Sequence, residues 1–124
     1  MDEQMRLTAK KALATVYFFV KGLPWIYQGQ EIGMENYPFR SAAEFDDVTA
    51  IDEYRVSLAA GLGEDQALEI SAGLSRDNAR TPVQWDETEN AGFTTGMPWL
   101  PVNPGYTRIN VREQEERPDS LLNF

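Results

Sequence analysis

Apolar positions recur at spacings of three and four over residues 7–20, where Ala9, Ala12, Leu13, Val16, Tyr17 and Val20 form one stripe. That period predicts an amphipathic helix. Lys21-Gly22, followed by Pro24, predicts its end, because Gly suits the residue after a helix and Pro cannot resume one. The next run, Leu23-Pro24-Trp25-Ile26-Tyr27-Gln28, is short and apolar and ends at Gly29, the pattern of a buried strand. A helix, a tight turn and an apolar strand make one step of a parallel α/β fold, yet nothing else in the chain reads as a partner for this strand.

Gly33 and Pro38 then break the chain. A second helix is predicted over residues 47–60, with Val48, Ile51, Tyr54 (or Arg55) and Leu58 on one face, and Gly61-Leu62-Gly63 separates it from a shorter one over residues 64–74. Residues 75–106 carry seven Gly and Pro positions, Gly92, Gly96, Gly105, Pro82, Pro98, Pro101 and Pro104, and no periodicity. A loop of that length inside a compact domain is usually functional, and Trp85, Phe93, Trp99 and Tyr106 argue that it is ordered, since disordered segments are poor in such residues. A polar helix is predicted over residues 110–117 and the first turn of another over residues 118–124.

Charge narrows the partners. Twenty acidic residues against 11 basic ones give a net charge of −9, which repels a nucleic-acid backbone and offers no basic patch to anionic lipid. Neither nucleic acid nor a membrane is an expected partner. The chain has no Cys and no His, so disulfides, zinc sites and a Ser-His-Asp triad cannot be built from it, and no cofactor or metal ligand set is expected. The start Met1-Asp2-Glu3 lacks the basic end and apolar stretch of a signal peptide, which makes a cytoplasmic location the expectation.

One run carries most of the chemical information: Ser75-Arg76-Asp77-Asn78-Ala79-Arg80-Thr81-Pro82-Val83-Gln84-Trp85-Asp86, with Glu89-Asn90-Ala91-Gly92-Phe93-Thr94-Thr95-Gly96 close behind. With the Gly22-to-Met34 block, Pro98-Trp99, Val102-Asn103-Pro104 and Ile109-Asn110-Val111, it resembles the oligo-1,6-glucosidase and α-glucosidase branch of the α-amylase superfamily. The resemblance covers most of residues 11–124 in the family's order. It implies a TIM barrel, which takes roughly 250 residues, so 124 residues make half a barrel at most. The implied fold class is α/β, the C-terminal fragment of a (β/α)8 barrel. Residues 1–34 would be the seventh barrel helix and eighth strand, 35–74 a helical insertion, 75–117 a loop region covering the active site, and 118–124 the start of the eighth barrel helix.

The implied reaction is hydrolysis of short α-glucosides with retention, by a carboxylate nucleophile and a carboxylic acid about 5–5.5 Å apart. The family carries those groups on segments before the eighth strand, so no catalytic residue is assigned in this chain. The expected partners are the α-glucoside oligosaccharide and the missing N-terminal portion of the barrel. The resemblance places Arg80 on hydroxyls of the bound glucose, a task suited to the five donors of a guanidinium; the alternative is that Arg80 pairs with Asp77 or Asp86 and only braces the loop. Arg76 and Asp77 are expected to pair and act as scaffold. Trp85 and Phe93 are expected in a small loop core, with sugar stacking as the alternative, and Gln28 and Glu31 at the rim. Leu23 and Val83 depart from the family's usual residues without changing the class, and residues 47–52 depart further. Three functional readings follow: a barrel fragment inactive alone, a stand-alone carbohydrate-binding or interaction module, or one half of a split enzyme. The chain does not discriminate hydrolysis of one α-glucosidic linkage from another, or hydrolysis from isomerisation.

Overall fold

Helix α1 (Glu3–Phe19) begins where Asp2 accepts the amide hydrogen of Met5 at 2.7 Å, one of the orphan donors that every helix start must satisfy. The computed structural model describes residues 2–124, which fall into two units. The first comprises residues 2–34, 83–95 and 105–124, and the second residues 35–82 and 96–104. No helix among the described residues is long and apolar enough to cross a membrane.

In the first unit, α1 turns an unexpected face inward. The apolar stripe read from the sequence is largely open to solvent, with Leu13 67% exposed. Leu7, Lys10, Lys11, Ala14 and Tyr17 are instead half-buried. The lysines explain how a polar face can pack: Lys10 Nζ donates to the Gly33 carbonyl at 2.8 Å, and Lys11 Nζ donates to the Asp119 carbonyl at 2.5 Å while lying 5.3 Å from the Phe124 ring centre. Their aliphatic stems cover apolar surface while their ammonium groups find oxygens.

The expected strand over residues 23–28 is not formed. No ladder hydrogen bond is made along it, no strand occurs among the described residues, and Trp25 is 77% exposed. A strand exists only as one side of a ladder, and this run has no second side. The residues expected to start a helix, 118–124, form consecutive turns instead.

Helix α4 (Val111–Glu115) shows a complete account of its first amide groups. The Val111 amide donates to the Gln84 carbonyl at 2.9 Å, that of Arg112 to the Trp85 carbonyl at 3.0 Å, and that of Glu113 to the Asn110 side chain at 2.8 Å. The buried Gln114 then joins distant stretches, donating to the Ile32 carbonyl at 2.7 Å and accepting the Leu122 amide at 3.1 Å. Residues 83–95, whose Gln84 and Trp85 carbonyls receive those amides, also contain a left-handed turn: Asn90 and Ala91 have φ of 54° and 56°, and Gly92 follows at 65°. A Cβ on Gly92 would stand 2.7–2.8 Å from the Asp86 carboxylate. Gly92→Ala is therefore expected to destabilise by roughly 1–3 kcal/mol through φ strain and overpacking, read as a lowered denaturation midpoint.

The second unit contains α2 (Val48–Ala59) and α3 (Glu64–Leu74), packed as a helical hairpin. The link is a Schellman turn: Leu62 donates to the Ser57 carbonyl at 3.1 Å and Gly61 to that of Leu58 at 3.0 Å. Gly61 sits at φ 91° with open space around it, so backbone conformation alone demands glycine there. Phe45 is buried beside Phe39, which also meets Tyr37, with ring centres 4.8 and 4.9 Å apart. Asn103 donates to the carbonyls of Glu35 and Asn36 at 2.9 and 3.1 Å, holding residues 96–104 to the start of the unit.

Candidate functional site

Residues 75–80 leave α3 as a 3₁₀ turn, Arg76–Ala79, whose start is capped by Ser75 accepting the Asp77 amide at 3.2 Å. This places Arg76 and Arg80 on a short rigid step next to the start of α2. Two carboxylates bind the stretches to each other reciprocally. Asp47, the N-cap of α2, accepts the Arg76 amide on Oδ2 at 2.9 Å. In return Asp77 accepts the amides of Asp46 and Asp47 on its own Oδ2, each at 2.9 Å.

Arg76 spends its donors inside this clasp. Its Nε donates to Asp47 Oδ1 at 3.0 Å, its Nη2 donates to the same oxygen, and Nη2 also reaches Thr49 Oγ1 at 3.0 Å. The Arg76 hydrogen bonds hold the Asp47 carboxyl well below the usual carboxylate range, with burial of Asp47 opposing them. Asp47 in turn raises Arg76. Because Arg76 faces water on its outer side, screening discounts the ion pair itself.

Arg80 is placed differently. Its amide and that of Thr81 donate to the Asp77 carbonyl at 2.9 and 3.1 Å. Its Nη1 lies 3.7 Å from Asp77 Oδ1, beyond hydrogen-bond reach, and its side chain is 35% exposed. Asp77 is fully buried, and its Oδ1 has no hydrogen-bond donor. Asn78 holds the far side of the step, accepting the Tyr37 amide at 3.0 Å and donating to the Ala72 carbonyl at 2.7 Å. The result is a half-open planar cation beside a buried carboxylate, suited to gripping hydroxyl oxygens.

The sequence-based pairings are thus partly redrawn. Arg76 pairs with Asp47 and not with its neighbour Asp77, whose charge faces Arg80. Asp47, expected as the first residue of its helix, is the cap just outside it and is buried. Trp85 and Phe93 do not form a loop core: both are about half exposed, at 50% and 48%, while Val83, Gln84 and Ala91 are the buried positions of their stretch. Gln28 is exposed and Glu31 half-buried. Asp86 is held low by the hydroxyl and amide of Thr88. No group of three or more Asp or Glu close enough to hold a metal ion occurs among the described residues.

Residues 1–124 match the family described as alpha amylase, catalytic domain. The chain is 45% identical over 121 residues to a glucan 1,6-alpha-glucosidase of Streptococcus pneumoniae, covering 98% of this chain and 23% of that protein. It is also 45% identical over 124 residues to a probable oligo-1,6-glucosidase 2 of Bacillus subtilis, covering 99% and 22%. Among solved structures it superposes with TM-score 0.89, at 44% identity, on a mutant isomaltulose synthase of Erwinia rhapontici NX5 in complex with its natural substrate sucrose, covering 98% of this chain and 22% of that one. The chain belongs to the α-amylase catalytic-domain family, whose domain is a TIM barrel. It spans between a fifth and a quarter of the length of the relatives it matches.

Proposed function

We propose that this chain is the C-terminal part of the catalytic barrel of a retaining α-glucosidase of the oligo-1,6-glucosidase type, acting on short α-glucosides. In this reading α1 belongs to the seventh barrel helix and residues 23–28 become the eighth strand once neighbouring strands supply a ladder. Residues 35–74 form the helical insertion, 75–117 the loop region over the active site, and 118–124 the start of the eighth barrel helix. Arg80 is the residue on the bound glucose. The observation that carries the reading is the contrast between the two arginines of one turn: Arg76 has its donors engaged, whereas the Arg80 guanidinium is half open and makes no hydrogen bond among the described residues.

The 124 residues alone are expected to turn over no glucoside, because the nucleophile and acid/base are expected on other segments. The unpaired apolar run over residues 23–27 and the bare stripe of α1 support that reading. A second reading, isomerisation of sucrose, is favoured by the similarity to isomaltulose synthase. Both are tested by incubating the whole protein that carries this segment with isomaltose, maltose and sucrose. Release of α-glucose at early times supports hydrolysis with retention. Conversion of sucrose to another disaccharide with little free glucose supports isomerisation, and consumption of none of the three would overturn both.

A further inference from the structure

Resting on the reading of Arg80 as the sugar-gripping side chain, we infer that Asp77 is its positioning residue and links the aim of the guanidinium to the start of α2. Asp77 divides its carboxylate between two tasks. Oδ2 accepts the two amides that open α2, each at 2.9 Å, while the buried Oδ1 has no donor and faces Arg80 Nη1 at 3.7 Å. A buried carboxylate oxygen without a donor is costly unless a charge compensates it, and Arg80 supplies that charge.

The distance matters as much as the partner. At 3.7 Å the guanidinium is attracted without giving up a donor, so its fork remains available to hydroxyl groups. Asp77 holds the same residue from the other end, since its carbonyl accepts the Arg80 amide at 2.9 Å. Backbone and side chain of Arg80 are thus both referred to one buried residue. Because the amides of Asp46 and Asp47 fix that residue's carboxylate, displacing the start of α2 redirects the charge that aims Arg80. The start of α2 therefore tunes sugar affinity through Asp77.

Asp77→Asn separates this role from a purely structural one. The amide oxygen still accepts both α2 amides, while the amide nitrogen, a donor, replaces the oxygen that faces Arg80. In the whole protein, D77N is expected to lower kcat/KM for 4-nitrophenyl α-glucoside by about 10-fold, mainly through KM, with R80A lowering it further. The D77N/R80A double variant is expected to match R80A, since a residue acting through Arg80 has nothing left to act on. An equal D77N effect with and without Arg80, or no effect in the wild-type background, would overturn the inference. If R80A itself changes nothing, the reading of Arg80 fails first, which is a distinguishable result. A crystal structure of D77N gives a readout independent of activity: the Arg80 fork is expected to move with the backbone of residues 76–80 unchanged, and an unmoved fork overturns the inference. If D77N does not fold, R80Q is read instead. It should lower the melting midpoint by leaving Asp77 Oδ1 uncompensated, and an unchanged midpoint counts against the tether.

Discussion

Arg80→Ala is expected to lower kcat/KM for α-glucoside turnover about 100-fold in the whole protein. A hydrogen bond from a charged donor contributes about 1.5–3 kcal/mol. If the proposed role of Arg80 holds, losing two such bonds to sugar hydroxyls, with partial compensation by water, leaves a deficit of roughly 3 kcal/mol, or two powers of ten in rate. Arg80→Lys is expected to recover little of it, because an ammonium keeps the charge facing Asp77 but lacks the planar fork that spans two oxygens. Steady-state kinetics of both variants check this. An R80A enzyme within twofold of wild type would remove Arg80 from the substrate site.

Asp47→Ala is expected to produce the largest loss of local stability in the second unit. The carboxylate accepts the Thr49 amide at 3.1 Å as helix cap and the Arg76 amide at 2.9 Å as clasp. Removing the cap costs about 1 kcal/mol and leaving the second amide without an acceptor about 1–3 kcal/mol, together roughly 2–4 kcal/mol. Hydrogen exchange should rise at residues 46–49 and 75–80 together, since each stretch holds the other, and unchanged exchange at residues 75–80 would show that the clasp is not reciprocal. Asp47→Asn should keep the cap and lose the charged bond to Arg76. The same bond sets an acid limit. Asp47 has a folded-state pKa depressed below its ordinary value of about 3.9, so its contribution is present above pH ~4 and is lost as pH falls from there towards the folded value. Wild-type protection factors at these residues, taken relative to the intrinsic exchange rate at each pH, should therefore fall on acidification below pH ~4, and those of D47N should depend less on pH.

What the sequence disclosed follows the range of the forces involved. Helices α2 and α3 were legible nearly to the residue, because apolar period and the Gly61-Leu62-Gly63 stop are local signals. The order of the long loop was legible from its aromatic content, although Trp85 and Phe93 proved not to be its core. Arg76 was assigned the wrong acid because its partner Asp47 lies 29 residues away, and sequence favoured the adjacent Asp77. For α1 the stripe was found but not the face that packs, since the contacts there are made by Lys10 and Lys11, which a hydrophobic pattern ignores. The run over residues 23–28 has the composition of a strand without a neighbour to make it one. Arg80 was singled out by its motif, and its distinctive placement beside a donor-less carboxylate oxygen required the fold.

The reciprocal clasp also bears on how this stretch of chain can change over time. The amides and carboxylates that open α2 and follow α3 are bonded directly to each other, so the ends of residues 48–75 are brought together before anything between them is specified. Such a closed base makes the hairpin a replaceable cassette. Lengthening, shortening or exchanging the helices above it leaves the entry and exit points in register, provided Asp47, Arg76 and Asp77 are retained. A change of length between residues 48 and 75 is then expected to leave the arginine at its base at the same address.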